Sequence, residues 1–357
     1  MRFGVQIAVA RGLLRAVDLA AERRCDCFQV HVGNPRGWRV AAPHPDEERR
    51  FREAVCARGL HPLVAHAAYL INLATGDAEL HRRSVRRAIA DLQRAARLGS
   101  DRLVVHTGAH GGAGPEAGAK RVARSVKQIL REAPRGMRLL LENTAGAGTE
   151  LGGDWAGIAA LLDAIGEPEW TGFCFDTCHA HIAGHDLSTE AGVGLTLDAI
   201  AATIGLERLF LIHANDAKYA MGSRRDAHWH IGKGTIGLAG FRALVNDARV
   251  ADLPCILETP DEKMDARNLR TIRRAGSVEA ARHPSGTLRG PLGVLKGGRP
   301  LPHGHPHRGA PTRPTPVGAD SQSARGSSPL TWSRSTPSTR TVRICPATPS
   351  PGATTRR

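Results

Sequence analysis

Two short apolar runs, Arg102-Leu103-Val104-Val105-His106 and Met137-Arg138-Leu139-Leu140-Leu141-Glu142, stand on either side of an amphipathic stretch at 120–132. Runs of this length without polar alternation are typical of parallel strands that are buried on both faces. The stretch between them has apolar residues three and four positions apart, which predicts a helix with one buried face. This part of the chain therefore predicts one strand–helix–strand unit.

The same alternation extends from the start of the chain to about residue 275. Further helical patterns lie at 12–23 and 79–98. The apolar runs number eight, at 3–7, 27–32, 60–65, 102–105, 137–141, 172–175, 208–212 and 253–257. Strands that alternate with helices form a closed parallel barrel or a doubly wound open sheet. Because there are eight runs, we expect an α/β protein with a (β/α)8 TIM barrel.

From residue 276 onward the composition changes to Pro, Gly, Ser, Thr and Arg, and the apolar periodicity ends. Such a segment buries too little apolar surface to offset its ordering entropy. We therefore expect a barrel domain at 1–275 and a disordered tail at 276–357. The tail carries 12 basic and 2 acidic side chains, or +10 of the net charge of +15. The remaining charge of the barrel is weak evidence for a nucleic-acid partner.

The sequence also bears on the compartment of the protein. No run approaches the roughly 18 apolar residues of a membrane span, and the first seven residues have a strand pattern rather than that of a secretory signal. The seven cysteines form no paired framework, which favours reduced, buried thiols. Cys174 and Cys178 lack the second pair that a four-cysteine zinc site requires. We expect a soluble cytoplasmic protein that does not contact membranes.

Six consecutive apolar runs are followed by a side chain that can bind a metal ion. These residues are His66, His106, Glu142, Asp176, His213 and Glu258. A single residue of this kind after a strand is usually a cap or a satisfied polar group. All strand ends of a parallel barrel meet at one rim, however, so six in succession predict one shared pocket.

Three further candidate ligands lie in the loops beyond these strands, namely His179, Asp226 and His228. The nine side chains comprise five His, two Asp and two Glu, a set that suits Zn²⁺ or Mn²⁺. Nine ligands are too many for one ion and fit two or three, with one carboxylate bridging. Neighbouring ions of this type stabilise the attacking and leaving oxygens of a phosphodiester and generate hydroxide at neutral pH.

The order and spacing of five segments resemble the signature of the endonuclease IV family, the zinc-dependent apurinic/apyrimidinic endonucleases. The resemblance extends over about residues 2–275. The segments are His66-Ala67-Ala68-Tyr69-Leu70-Ile71-Asn72-Leu73, Leu141-Glu142-Asn143-Thr144-Ala145-Gly146, Phe175-Asp176-Thr177-Cys178-His179, His213-Ala214-Asn215-Asp216-Ala217-Lys218 and Ile256-Leu257-Glu258-Thr259-Pro260.

This resemblance implies three metal ions and a DNA substrate. The first ion would be held by His66, His106 and Glu142, and the third by His179, Asp226 and His228. Glu142 would bridge to the second ion, which Asp176, His213 and Glu258 would complete. We assign catalytic roles to Glu142 and Glu258. Family members cleave double-stranded DNA 5′ to abasic sites, leaving a 3′-hydroxyl, and trim blocked 3′ ends, and the abasic nucleotide is flipped into the metal pocket. Arg36 and Tyr69 match loop positions that press into the DNA.

The sequence departs from the family pattern at four positions. Thr107 stands where the family usually has Pro, Ala227 where it has Arg, Lys233 where it has an acidic residue, and Gln6 where His is common. None of these changes removes a predicted ligand. The loss of the arginine at Ala227 removes a phosphate or DNA contact, so DNA affinity and substrate range are affected more than the chemistry. Asn215 and Asp216 are expected either to orient His213 or to form a simple turn.

We therefore predict a monomeric, zinc-dependent endonuclease of base-excision repair. One alternative is a metal-dependent sugar isomerase or epimerase on a related barrel, which needs one or two metals rather than nine ligands. A second is a non-catalytic DNA- or partner-binding protein with structural metals.

Overall fold

A computed structural model describes residues 1–40 and 42–277 of the chain. The predicted tail therefore lies outside the described residues, apart from its first two. The predicted domain boundary near residue 275 stays a prediction.

Within the described residues, eight parallel strands close a barrel in which neighbours along the chain are neighbours in the sheet. The strands are β1 (Arg2–Ile7), β2 (Phe28–His31), β3 (Leu63–His66), β4 (Arg102–His106), β5 (Arg138–Glu142), β6 (Thr171–Asp176), β7 (Leu209–His213) and β10 (Pro254–Leu257). The helices are α1 (Leu13–Glu22), α2 (Pro45–Ala57), α3 (Ala78–Arg97), α4 (Pro115–Arg131), α5 (Trp155–Ile165), α6 (Thr177–Ala183), α7 (Glu190–Thr203), α8 (Gly237–Asn246) and α9 (Asp265–Ser277). The prediction of a TIM barrel is confirmed.

The strand register places polar side chains side by side at the carboxyl end of the barrel. His31 is the Cα partner of His66, His106 of Glu142, and Asp176 of His213. Below this rim the interior is closed by a fully buried apolar layer. Its members are Cys27, Val64, Val104, Leu140, Cys174, Leu211 and Ile256. The rim therefore rests on a packed floor, as in other barrels whose interior is a core rather than a pore.

The start of the third strand differs from its prediction. The apolar run at 60–65 suggested a strand from Leu60, but β3 begins at Leu63. Pro62 immediately precedes the strand and has no N–H group to donate to a neighbouring strand. Leu60 is buried in the core without taking part in the sheet.

A two-stranded antiparallel hairpin follows β7 and was not predicted. It pairs β8 (Asp216–Ala217) with β9 (His228–Trp229), with Ala217 opposite His228. Strands of two residues are too short for a periodic sequence signal. The hairpin fixes the position of His228 against the end of β7.

The expectations about membrane spans and about cysteine thiols can be compared with the described residues. Among the described helices, none is long and apolar enough to cross a membrane. Five cysteines of the described part, Cys25, Cys27, Cys174, Cys178 and Cys255, are buried free thiols. Cys56 is disulfide-bonded, which the expectation of reduced thiols did not anticipate.

Candidate metal centre

Glu142 lies at the centre of the rim and is completely buried. Its Oε2 atom is 3.2 Å from His66 Nε2 and 3.1 Å from His106 Nε2. Its Oε1 atom faces the opposite side, 3.0 Å from His213 Nδ1. One carboxylate therefore has imidazole nitrogens on both sides, which is the arrangement expected of a bridging ligand.

The second group of potential ligands lies around His213. Its Nδ1 atom is 3.3 Å from Glu258 Oε2 and 4.0 Å from Asp176 Oδ2. The ligand atoms of Glu142, Asp176, His213 and Glu258 all lie within 4.8 Å of one another. These four residues come from the ends of β5, β6 and β7 and from the loop directly after β10.

The third group lies closer to solvent, between α6 and the hairpin. His179 Nε2 is 3.3 Å from Asp226 Oδ2 and 3.4 Å from His228 Nε2. The nearest atom of Asp226 to His228 Nε2 is Oδ1, at 3.7 Å. Asp226 is exposed and His179 is buried, so this group lies at the edge of the pocket.

Four of the five histidines have one ring nitrogen next to a carbonyl oxygen and the other directed at the cluster. The outward nitrogens of His66 and His179 lie 2.8 Å from Ala67 O and 2.9 Å from Asn143 O. Those of His213 and His228 lie 2.9 Å from Gln29 Oε1 and 3.1 Å from Glu258 O. A carbonyl can only accept, so the outward nitrogen carries the proton and the inward nitrogen of a neutral ring has a free lone pair. This is the tautomer that a metal ligand requires.

Amide side chains that the sequence reading missed orient the carboxylates. Gln29 donates to Glu258 Oε1 at 2.6 Å, while its own carbonyl oxygen is the one facing His213. Asn143 accepts from the Asp176 N–H at 2.8 Å. Gln29 carries a detectable signal, because it is a polar residue inside the apolar run at 27–32.

Among the described residues, the side chains of Asn215 and Asp216 have partners other than His213, so the first of the two roles predicted for them is not found. Asn215 donates to Asp176 Oδ2 at 2.7 Å and accepts from the Glu258 N–H at 2.7 Å, so it orients two carboxylates. Asp216 accepts from the N–H groups of Gly234 and Ile236 and so holds the loop after the hairpin.

The carboxylates and histidines of the cluster shift one another's pKa values. Burial raises the pKa of Glu142, but His106 and His213 outweigh this effect and hold that pKa well below its ordinary value. Burial lowers the pKa of His179, but Asp176 and Asp226 raise it well above its ordinary value. The carboxylates thus stay ionised and draw protons onto the histidines. Cations bound among these side chains would take the place of those protons as the positive charge that compensates the buried carboxylates.

Divalent metal ions fit this arrangement. With metal–ligand distances of about 2.1 Å, two ligand atoms of one tetrahedral zinc ion lie about 3.4 Å apart. The closest nitrogen–oxygen pairs of the cluster span 3.0 to 3.5 Å. Cys178 also lies near Asp176 and His228. Burial, together with Asp176, raises the pKa of its thiol far above the ordinary value, which disfavours the thiolate that a metal requires.

The two predicted DNA-contact residues lie beside each other at the mouth of the pocket. Arg36 is exposed in the loop after β2, and Tyr69 is 54% exposed in the loop after β3. The Tyr69 hydroxyl is 3.1 Å from His31 Nε2. His31 is a further residue that the sequence reading missed. Burial, and after it the charge of His66, lowers the pKa of His31 to about 3. The His31 ring is therefore neutral at pH 7.

The four departures from the family pattern lie around the cluster. Thr107 is buried and donates to Leu151 O, and Lys233 is exposed in a turn. Ala227 accepts from the Lys218 N–H at 3.0 Å between the two ligands of its loop. Both polar atoms of the Gln6 amide are buried and have no hydrogen-bond partner among residues 1–40 and 42–277.

Comparison with known proteins gives one consistent result. The family model of the xylose isomerase-like TIM barrel matches residues 15–282. A probable endonuclease 4 of Methanoculleus marisnigri is 41% identical over 273 residues, which cover 76% of this chain and 97% of that protein. A probable endonuclease 4 of Chloroflexus aurantiacus is 40% identical over 276 residues, covering 76% and 97%.

Solved structures agree with these matches. The crystal structure of endonuclease IV from Thermus thermophilus is similar with a TM-score of 0.70 and 37% identity, covering 77% of this chain and 98% of that one. A D-tagatose 3-epimerase-like protein has a TM-score of 0.61 at 18% identity, covering 79% of this chain and 99% of that one. At that identity the second similarity shows a shared fold alone.

Proposed function

The chain belongs to the endonuclease 4 family within the xylose isomerase-like TIM barrels, and we propose on that basis that it hydrolyses the DNA phosphodiester 5′ to abasic sites, leaving a 3′-hydroxyl, in base-excision repair. The predicted resemblance to this family is confirmed. The observation that carries the proposal is Glu142, whose two oxygens each face a separate group of imidazoles at the barrel rim. A bridging carboxylate of this kind suits phosphodiester hydrolysis at a centre of several metals.

We assign the predicted ligands to three Zn²⁺ ions, with Mn²⁺ able to replace zinc at one or more sites. His66, His106 and Glu142 would hold the first ion, and Glu142, Asp176, His213 and Glu258 the second. His179, Asp226 and His228 would hold the third. When bound, such ions supply a nucleophile at neutral pH and stabilise the charge that develops on the phosphate. The matching distances, the ring nitrogens directed at the cluster and the buried carboxylates support this assignment.

The roles of the protein side chains follow from their contacts. Glu142 and Glu258 keep their oxygens directed into the pocket, because imidazoles surround the first and Gln29 and Asn215 fix the second. Asp226 is exposed beside the buried His179, which leaves the outer group open to an incoming phosphate. Pre-positioned ligands of this kind reduce the reorganisation that the reaction requires.

Arg36 and Tyr69 would bind the damaged duplex next to this pocket. Metal ions held by the buried Glu142 and His213 would be recessed at the end of the barrel, so the abasic nucleotide would be turned out of the duplex to bring its phosphate to them. An exposed arginine and an exposed aromatic ring suit contacts to the backbone and to the resulting gap. The same geometry accommodates blocked 3′ ends. The proposal includes a monomer in the cytoplasm; the five buried free thiols suit a reducing compartment, and the disulfide-bonded Cys56 does not.

Nicking of a labelled duplex tests this function. The substrate is a double-stranded oligonucleotide with one abasic site, and matched controls are the intact duplex and the same reaction with EDTA. We expect cleavage at the abasic site alone, a product with a 3′-hydroxyl that a polymerase can extend, and no product with EDTA. Cleavage by β-elimination, or cleavage by protein from which metal analysis shows that the ions have been removed, would contradict the proposal.

The first alternative, a sugar isomerase or epimerase, shares the barrel but needs fewer metal ligands. Incubation of the zinc- or manganese-loaded protein with aldoses and ketoses should give no interconversion. The second alternative, a non-catalytic DNA-binding protein, predicts abasic-duplex binding without nicking.

A further inference from the structure

A buried ion pair on α3 lies outside the metal cluster. Arg87 Nε donates to Asp91 Oδ1 at 2.8 Å, and the two side chains are 2% and 3% exposed. Burying two charges costs several kcal/mol per ion, so such a pair is stable only when its other donors and acceptors are also satisfied. The partners of those remaining atoms therefore indicate what the pair does.

The guanidinium of Arg87 binds the loop that carries Arg36. We call residues 34–39 the arginine loop. The Nη1 group donates to Gly37 O and to Arg39 O, the latter at 3.3 Å, and Nη2 donates to Asn34 O at 3.3 Å. Gly33 comes directly before this loop, and an added Cβ there would lie 2.9 Å from Arg87 Nη2. The backbone at this point is thus in close contact with the guanidinium.

The carboxylate of Asp91 binds the loop that carries Tyr69. We call residues 67–69 the tyrosine loop. Asp91 Oδ2 accepts from the Ala68 N–H at 3.1 Å, one residue before Tyr69. The two loops also touch each other, because the Tyr69 N–H donates to Pro35 O at 3.0 Å. One buried pair on one helix therefore holds both loops.

We propose that Arg87 and Asp91 are positioning residues that lock the arginine loop and the tyrosine loop into one preformed DNA-binding surface. This inference rests on the proposed function, because that function supplies the ligand of the surface, an abasic DNA duplex. The planar fork of arginine reaches several carbonyls at once, which the point charge of a lysine cannot do. A surface that is ordered before binding loses less entropy when the duplex binds, so the pair raises affinity without touching DNA.

The test uses Arg87→Lys in the full, metal-loaded chain. Lysine keeps the charge beside Asp91 but loses the bonds to the arginine loop. On a duplex with one abasic site we expect KM to rise about tenfold while kcat stays within about twofold, the pattern of lost binding rather than lost chemistry. Arg86→Lys is the matched control, because Arg86 is exposed on the same helix. It should leave both constants unchanged.

Hydrogen–deuterium exchange of the free protein gives a readout that does not depend on cleavage. Peptides covering 34–39 and 67–69 should both exchange faster in Arg87→Lys, with zinc content unchanged. Asp91→Asn, which places a neutral amide beside Arg87 and so removes the ion pair, should act in the same direction and carries the test if Arg87→Lys does not fold.

The possible failures are distinguishable. An enzyme that nicks abasic DNA but keeps its KM in both variants overturns this inference and leaves the proposed function intact. Lower kcat at unchanged KM also overturns it. A wild-type protein that does not nick abasic DNA removes the proposed function and this inference together.

Discussion

At the scale of single residues, Glu142 connects groups that are far apart in the sequence. His66 and His106 approach one of its oxygens, and His213 and His179 approach the other. A polar group with no exposed surface needs compensation on every side. His66, His179 and His213 are in turn fixed by a further contact, as Gln29 fixes His213. The orientation of the candidate ligands therefore depends on residues that would not themselves contact a metal ion.

Gln29→Met tests this dependence. Methionine has a similar size but cannot donate to Glu258 or accept from His213, so both ligands lose an orienting partner. We expect the affinity for Zn²⁺ to fall about 10- to 100-fold, as is usual when such an outer partner is removed. Competition with a fluorescent chelator measures the affinity, and excess Zn²⁺ should restore nicking.

Gln93→Met on α3 is the control, because Gln93 contacts only Glu132 O among the described hydrogen bonds. Equal zinc affinities in Gln29→Met and the wild type would show that Gln29 does not orient the ligands.

At the scale of elements, the start of α9 contains an unusual carboxylate. Asp265 is buried beside Arg23, with its Oδ2 atom 3.2 Å from Arg23 Nη1. Burial raises the pKa of Asp265 to about 7, although Arg23 acts in the opposite direction. In the unfolded chain its pKa returns to about 3.9. Between these values the folded state binds a proton that the unfolded state does not, so stability from this group falls as pH rises from about 4 to about 7.

Asp265→Asn should remove this pH-dependent contribution to the free energy of unfolding. We expect the difference in free energy of unfolding, wild type minus variant, to decrease as pH rises from 5 to 8. Urea unfolding of both proteins at several pH values measures it, and subtraction cancels the titration of the metal cluster. A difference that stays constant, or increases, over this range would contradict the burial of an ionisable Asp265.

The elements differ in how far the sequence predicts them. The strands β4, β5 and β6 were predicted to within a residue or two, because continuous apolar runs identify doubly buried strands. The hairpin was missed, since two-residue strands have no periodicity. Gln29 and His31 were missed because they act through partners on other strands, and only the register brings those partners together.

At the scale of the whole molecule, barrel closure is what brings the cluster together. Six predicted ligands lie on or just beyond the ends of six different strands, the other three lie in the segments that follow β6 and β7, and a parallel barrel directs all of these strand ends to one rim. The six strand-end residues could be predicted from that rule alone. The allocation of residues to separate ions could not, because it depends on side-chain directions such as those of the two Glu142 oxygens.

Metal removal should therefore affect the stability of the entire barrel. Chelation would remove the cations from the four carboxylates of the cluster. Ions that bind only the folded state stabilise it by mass action, so their removal would destabilise the protein. We expect EDTA to lower the Tm by about 5–15 °C, and Zn²⁺ but not Mg²⁺ to restore it. Differential scanning calorimetry provides the measurement. An unchanged Tm after verified zinc loss would mean that the cluster is stable without cations.

The metal content per chain tests the multinuclear centre most directly. Mass spectrometry of the purified wild-type protein should find about three zinc or manganese ions per chain, as expected for nine ligands around a bridging carboxylate. In Glu142→Gln the content should fall by at least one ion, together with the loss of abasic-site nicking. A wild-type content of one ion or fewer with full nicking activity, or a Glu142→Gln protein that keeps both its metal and its activity, would contradict the account.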